Sequence, residues 1–496
     1  MNKNILSIFV VLILIQLCFA SVSVNTCDST SLIYTADLKN TTEWEHYWEG
    51  CVGSGHAWLG TRQDWRDALK TAVDKLGFER IRFHGIFDDD MNVYQEAADG
   101  TPIYSYYNVD QVYDYILSLG VRPIVELSFM PTAMASGNTT IFHYRGNITP
   151  PKNYTLWADM IENFLQHLID RYTMDEVKKW HFEVWNEPNC GFWTGNMTEY
   201  YHLLQVTFNA IKSVSTEFSV GGPATCQSQY LAETLQFTQE NNFTLDFVST
   251  HEYPTDIQPV QRNIMYQVLS NSRAIVGPDM PLFYTEYNDG LYSPGLHDTT
   301  FASAFAIFNI IDVYGIADIF SWWTFSDVFE EQGQQSVPFN QGFGLQTIYG
   351  IPKPSFKAFE LLHETGYERA YVDGPDHPTA GVLVTKGDSE IMVIVYNHNI
   401  PGAPITNETV CITINNVPAN VNSATLRRID DENCNPIAIW TQMGSPTYPS
   451  QDQIDEIYDS AQFVYEDIDY KYLSLNTLSF EIIIPPQGVA AIKLEY

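Results

Sequence analysis

Two glutamates stand at the ends of short β-rich runs, in Trp185-Asn186-Glu187-Pro188-Asn189 and Tyr284-Thr285-Glu286-Tyr287-Asn288. Near the ends of other such runs lie Arg82-Phe83-His84-Gly85, His251-Glu252-Tyr253-Pro254 and Trp322-Trp323-Thr324-Phe325. Paired carboxyl groups beneath aromatic side chains are the equipment of glycoside hydrolysis. One is protonated and donates to the leaving oxygen; the other is ionised and attacks or steadies an oxocarbenium-like centre. Burial and a like charge raise the pKa of the acid, while hydrogen bonds keep the second group charged. Retention of configuration needs the two carboxyl groups about 5–5.5 Å apart. Strand residues two apart share a face, so Glu183, Trp185 and Glu187 are expected on one side, as are Tyr284 and Glu286.

The elements that must hold these residues alternate from about residue 45 to 370. Strands are predicted at Ser54–Leu59, Arg80–Ile86, Arg122–Phe129, Trp180–Trp185, Ser219–Pro223, Asp246–Tyr253, Leu282–Tyr287 and Ile319–Phe325. Between them, apolar positions recur every three or four residues in Asp110–Leu119, Trp157–Tyr172, Glu199–Val214 and Thr299–Tyr314, with a last helix at Ser355–Thr365. Eight β/α alternations fit an α/β fold, the (β/α)8 TIM barrel, whose sites gather at the C-terminal ends of the strands. An open doubly wound sheet would show a Gly-rich phosphate loop after its first strand, and none is present. After Gly366, short strands at Gly381–Thr385, Glu390–Tyr396, Val410–Ile414, Ala424–Ile429, Leu478–Ile484 and Ala490–Leu494 predict a C-terminal antiparallel β-sandwich. The expected division is a leader at 1–20, a barrel domain at 21–366 and a sandwich domain at 367–496. The first 25 or so residues after the leader are candidates to pack with the sandwich.

Phe182-Glu-Val-Trp-Asn-Glu-Pro-Asn189 resembles the acid/base motif of retaining clan-A glycosidases. With Arg82-Phe-His-Gly-Ile-Phe-Asp88, Asp246-Phe-Val-Ser-Thr-His-Glu-Tyr-Pro254, Tyr284-Thr-Glu-Tyr-Asn288, Trp322-Trp-Thr-Phe-Ser-Asp-Val-Phe-Glu-Glu331 and Gly342-Phe-Gly-Leu345, the set resembles glycoside hydrolase family 39, the β-xylosidase/α-L-iduronidase family. The resemblance implies that Glu187 is the general acid/base and Glu286 the nucleophile. It also implies that Asn186 bonds the sugar 2-hydroxyl, that His84, His251 and Tyr253 line the sugar subsite, that Trp322 or Trp323 stacks on the sugar, and that Glu330 or Glu331 accepts its hydroxyl hydrogens. The iduronidase branch carries a lysine where this chain has Tyr253, and Trp322 to Gly344 contains no Lys or Arg, although a substrate carboxylate calls for one. Both departures point to a neutral glycoside, β-xyloside-like. An iduronidase-type glycosidase and a non-catalytic sugar binder remain the alternatives.

Several residues have plainer expectations. Glu183 is expected to be a buried partner of Arg82, and Glu252 should face away from Tyr253. Trp58, Trp65 and Trp157 are expected in the core. Asp88-Asp89-Asp90 reads as a solvated loop and Asp452–Asp469 as an exposed face.

Lys3, the apolar run Ile5–Leu17 and small residues at Cys18 and Ala20 outline a secretory signal peptide cleaved after Ala20; the run is too short to span a membrane. Asn-X-Ser/Thr sequons begin at Asn40, Asn138, Asn147, Asn153, Asn196, Asn242 and Asn407. Six cysteines remain after the leader, and closeness along the chain favours the pairs Cys27–Cys51, Cys190–Cys226 and Cys411–Cys434. Export to the outside or to a lysosome is expected. No CxxC or HExxH spacing occurs, so neither metal nor cofactor is expected. With 25 Lys+Arg against 60 Asp+Glu the net charge is −35, which argues against nucleic acid and anionic membranes as partners; the expected partner is a glycoside substrate. No self-complementary patch that would specify an oligomer is evident in the sequence.

Overall fold

The computed structural model describes Cys27 and residues 30–291, 296–418 and 420–496; the expected leader lies outside them. Eight parallel strands close a barrel: β1 Val52–His56, β2 Arg80–His84, β3 Arg122–Glu126, β4 His181–Glu183, β5 Ser219–Thr225, β6 Phe247–Glu252, β7 Leu282–Tyr287 and β8 Ile319–Trp322. Each pairs with the next, and β8 pairs with β1. The helices that follow them are α1 Gln63–Leu76, α2 Tyr107–Ser118, α3 Tyr154–Tyr172, α4 Met197–Val214, α5 Leu231–Glu240, α6 Ile264–Val276, α7 Thr300–Asp312 and α8 Pro354–His363. Local chemistry sets their ends. Helix α4 begins with a capping box, in which the Asn196 side chain accepts from the Glu199 amide while the Glu199 side chain accepts from the Asn196 amide. Helix α1 stops where Gly77 turns left-handed at φ 73°.

The first strand is displaced from its expected place. It occupies Val52–His56, and Ala57–Thr61 forms a 3-10 turn that brings Trp58 to 37% exposure rather than into the core. Trp65 and Trp157 are buried as expected.

The second unit is one continuous ladder of ten strands, in the order Glu466–Asp467, Ser423–Ile429, Val489–Glu495, Glu390–Asn397, Ala380–Lys386, Glu368–Asp373, Leu32–Glu43, Glu408–Asn415, Thr477–Ile484 and Lys471–Ser474. It is antiparallel except where Leu32–Glu43 runs parallel to Glu408–Asn415. The sheet encloses its own apolar core, which includes Ala36, Ile412, Phe480 and Ile492. Its other face joins the barrel's core. In Glu390–Asn397, Ile391, Val393 and Val395 point into the sheet's core, whereas Met392, Ile394 and Tyr396 belong to the barrel cluster. That is why the run is apolar without alternation. Helix α7, held between barrel and sheet, is for the same reason buried nearly all round.

The cysteine pairing departs from chain proximity. Cys27 bonds to Cys411, 384 residues away, while Cys51 and Cys434 are buried free thiols. The cause is the parallel pairing that sets Ile33 opposite Cys411. Cys51 instead packs with Ile124, Phe247, Phe283 and Ile319. Cys190–Cys226 forms as expected. Among the sequons, Asn147 differs from the expected surface position: its side chain is buried, donates to Gly137 O at 3.0 Å and accepts from the Thr149 amide at 2.9 Å, an arrangement with no room for a glycan. The other six asparagines are exposed or half-exposed.

Candidate active site

Strand β2 supplies the organising cation. Arg82 is fully buried, and its guanidinium meets Glu183 Oε2 at 2.5 Å through Nε, Glu286 Oε1 at 2.7 Å through Nη1, and both Glu126 Oε2 at 2.8 Å and Asn186 Oδ1 at 2.9 Å through Nη2. A planar fork of five donors fits such a ring of acceptors. The expected pairing of Glu183 with Arg82 is thus present, but Glu126 from the tip of β3 gave no signal in the sequence. Two residues on, His84 Nδ1 lies 2.7 Å from Glu126 Oε2, and Nε2 lies 3.5 Å from Glu331 and 3.9 Å from Glu286.

Strands β4, β6 and β7 bring the two carboxyl groups together. Beyond β4 the chain leaves strand geometry, with Trp185 at φ 71° and Glu187 at φ 40°. Asn186 and Glu187 therefore both reach the site, while Trp185 packs on Phe129 and Trp193 and donates to Phe192 O. The expectation that Glu183, Trp185 and Glu187 share one face fails here. Between β6 and β7 the register slips, Thr250 pairing with Tyr284 but His251 with Glu286. This bulge turns Thr285 and Glu286 inward together and sends the Tyr284 hydroxyl to Ser228 and Ser272 instead, so Tyr284 does not share the face of Glu286. His251 Nδ1 is 2.8 Å from Glu187 Oε1 and 3.6 Å from Glu286 Oε1, and Tyr253 donates to Glu286 Oε2 at 2.9 Å. A carboxylate oxygen of Glu187 and one of Glu286 lie within 4.8 Å of each other.

The two glutamates sit in different fields. Burial, followed by the charge of Glu286, holds Glu187 well above the ordinary carboxyl range. Burial also raises Glu286, but Arg82, His84 and the Tyr253 hydroxyl oppose the rise. Glu187 is thus the group that keeps its proton and Glu286 the one poised to ionise. Burial works against charge on His84, yet Glu126, Glu331 and Glu286 push it up to about 10. His251 goes the other way: burial, Arg82 and His84 hold it well below its usual value, as a neutral imidazole.

Around this centre the rim residues separate. Trp323 faces the site, 4.8 Å from the His84 ring and 5.9 Å from the Arg82 guanidinium carbon. A Cβ on Gly53 would collide with its indole. Trp322 does not face the site: it packs on Tyr287, Phe305 and Phe359 and donates to Phe343 O, on the helix side of the barrel wall. Glu331 approaches His84, and Glu330 Oε2 lies 3.6 Å from His56 Nδ1. His56 Nε2 faces Asp88 Oδ2 at 3.2 Å and Asp90 Oδ1 at 3.4 Å, with its ring stacked on Tyr144 at 3.8 Å. Asp88 is therefore a buried residue rather than part of a solvated loop. His56, Asp88 and Asp90 are metal-ligating types; burial works against charge on His56, while Asp88, Asp90 and Glu330 raise its proton affinity well above the usual imidazole range. Glu252 turns away from Tyr253 and accepts from Ser228 Oγ at 2.9 Å.

A closed (β/α)8 barrel with two unequal carboxyl groups at its strand tips defines a glycoside hydrolase. The sequence profile of glycosyl hydrolases family 39 matches residues 32–468, and the chain belongs to that family. It is 40% identical over 468 residues to a β-xylosidase of Caldicellulosiruptor saccharolyticus, covering 90% of this chain and 95% of that protein. The crystal structure of a monomeric β-xylosidase from Caulobacter crescentus superposes with a TM-score of 0.84 at 28% identity, over 94% of this chain and 99% of that one. An α-L-iduronidase of Mus musculus is 25% identical over 200 residues, 36% of this chain and 29% of that protein.

Proposed function

We propose that this enzyme is an exported, retaining exo-glycosidase that hydrolyses β-xylosides or a closely similar neutral glycoside by double displacement. The observation that carries the reading is the approach of Glu187 and Glu286 to within 4.8 Å in unequal electrostatic surroundings, with Arg82, His84 and Tyr253 opposing the effect of burial on Glu286. Such closeness suits direct attack by a carboxylate and leaves no room for the water an inverting enzyme holds between carboxyl groups about 6.5–9.5 Å apart. Glu286, held by Arg82 and Tyr253, attacks the anomeric carbon while Glu187 protonates the leaving oxygen. Glu187, now a carboxylate, then deprotonates the water that releases the sugar. Asn186 gives its Oδ1 to Arg82, which leaves Nδ2 to donate to the sugar 2-hydroxyl. Trp323 offers an aromatic face, and Glu331 and His84 offer hydroxyl partners.

Neutral substrate is favoured because the site's cations are already engaged: Arg82 by three carboxylates and His84 by Glu126. Tyr253 gives its hydroxyl to Glu286 where an iduronidase has a lysine. Aryl β-xyloside, β-glucoside and α-iduronide assayed side by side test this. Turnover of the xyloside with retained anomeric configuration is expected, and turnover of the iduronide alone overturns it. Export is supported by the paired cysteines and the exposed sequons. It predicts glycosylated enzyme in the secretory pathway or the medium.

A further inference from the structure

The residue before the candidate nucleophile has no part in the chemistry above, yet the bulge in β7 turns it into the site. We propose that Thr285 is a positioning residue that locks His251 as the Nε2–H tautomer, so that its bare Nδ1 keeps the carboxyl proton on Glu187. The inference rests on the reading of Glu187 as acid/base. It follows from counting donors. Glu183 Oε2 is paired with Arg82, and Glu183 Oε1 accepts from Thr285 Oγ1 at 2.8 Å. A hydroxyl has one hydrogen. Thr285, having given it to Glu183, meets His251 Nε2 at 3.1 Å with lone pairs alone, so Nε2 must carry the hydrogen of that contact. A neutral imidazole has a single N–H. Nδ1 is then an acceptor 2.8 Å from Glu187 Oε1, and the hydrogen between them belongs to Glu187.

The surroundings favour this arrangement over an imidazolium. His251 faces Arg82 and His84 from β2, Glu187 from the β4 loop and Glu286 from β7, with Tyr253 on its own strand and Glu183 beyond Thr285. Glu187 faces the same Arg82, His84 and Glu286, with Asp256 further out. The two cations oppose a third charge on His251. The chain Glu187–His251–Thr285–Glu183 therefore runs in one direction, each member donating toward Glu183, which accepts from Arg82 on its other oxygen. Without the Thr285 hydroxyl, His251 is free to carry its hydrogen on Nδ1 and donate to ionised Glu187. That stabilises the anion and lowers the pH at which Glu187 gives up its proton.

The test compares Thr285→Val, close in shape but without the hydroxyl, with Thr285→Ser, in an aryl glycoside whose leaving group needs acid assistance. Loss of activity with rising pH reports deprotonation of Glu187. In Thr285→Val this alkaline limb of kcat/KM is expected to move down by about one pH unit, a roughly tenfold loss on that limb, and Thr285→Ser is expected to restore it. A valine variant whose limb superposes on wild type overturns the proposal. Nitrogen NMR of the unaltered protein, with His251 identified by its loss in His251→Gln, reads the tautomer directly. A bare Nδ1 with protonated Nε2 is expected, and the opposite tautomer or an imidazolium overturns the proposal even where Thr285→Val fails to fold. This reading needs no turnover, so its failure is distinct from failure of the glycosidase reading, which would show as hydrolysis of none of the three aryl glycosides.

Discussion

Two buried regions of this molecule are built on contrasting chemistry. At the strand tips Arg82, Glu126, Glu183, His84, His251 and Glu286 are buried together, and nearly every one is held by a partner of opposite charge or a hydrogen bond. In the seam between the barrel and the ten-stranded sheet, Phe305, Phe308, Leu383, Met392 and Ile394 form one apolar cluster, and its polar neighbours are few: the His398 ring lies against Phe305 and Phe308, and the Arg262 guanidinium carbon is 3.8 Å from the Phe308 ring centre. Aliphatic burial stabilises at roughly 25 cal/mol per Å² and needs no precise geometry. A buried charge cluster is at best near neutral for stability, because desolvation offsets the attraction, but it fixes the place of each group. The seam holds the molecule together, and the tip cluster spends stability on aim.

The largest effect expected from breaking this contrast lies in the chemistry. Glu286→Gln keeps the shape and removes the attacking charge, so kcat should fall by at least about 10⁴-fold, some 5 kcal/mol of barrier. Thermal stability should stay level or rise, since a carboxylate next to Glu187 is relieved; a variant with near wild-type turnover would remove Glu286 from the nucleophile role. Arg82→Met should damage both properties. It leaves Glu126, Glu183 and Glu286 buried without their cation, a loss of about 3–5 kcal/mol in urea unfolding, together with loss of turnover. An unchanged urea midpoint would show that the cluster is not organised around Arg82.

The seam answers differently. Ile394→Ala, at a fully buried position in the shared core, should cost about 2–4 kcal/mol. The kcat/KM of the folded fraction should stay within about twofold. A large fall in kcat/KM at full folding would mean that the sheet aims the strand tips rather than merely supporting the barrel.

Periodicity alone revealed the parts whose burial is one-sided or complete: the barrel's strands lie within a few residues of their expected places, and so do the five helices singled out. It failed where the backbone departs from regular geometry. The parity rule put Trp185 with Glu187 and Tyr284 with Glu286, but positive φ at Trp185 and Glu187 and the bulge at Thr285 break that alternation. It was blind to contacts between distant segments. Arg82 inside Arg80-Ile-Arg-Phe-His84 gives no sign that Glu126 and Glu286 will converge on it, and nothing near Cys27 names Cys411. Asp88 read as solvated because its partner His56 lies 32 positions earlier, on a neighbouring strand. Of the two tryptophans, only the path of the chain beyond β8 decides that Trp323 faces the site.

Glu252 is the exception that sharpens the contrast, a buried carboxyl at a strand tip with no cation beside it. Burial, with the charge of Asp256 added, pushes it up to about 8, while the Ser228 hydroxyl opposes. The folded protein therefore binds a proton at Glu252 that the unfolded chain releases near 4.5. A group raised in this way favours the fold at low pH. Its contribution declines as pH climbs from about 4.5 to about 8, at up to about 1.4 kcal/mol per pH unit, and is gone above that window. Glu252→Gln keeps a neutral, hydrogen-bonding side chain and removes the titration. Melting temperatures of the two proteins should lie close at pH 5 and separate toward pH 8, the glutamine form being the more stable there. Parallel curves across that window would mean that Glu252 is ionised in the fold, and that even this carboxyl has a compensating partner.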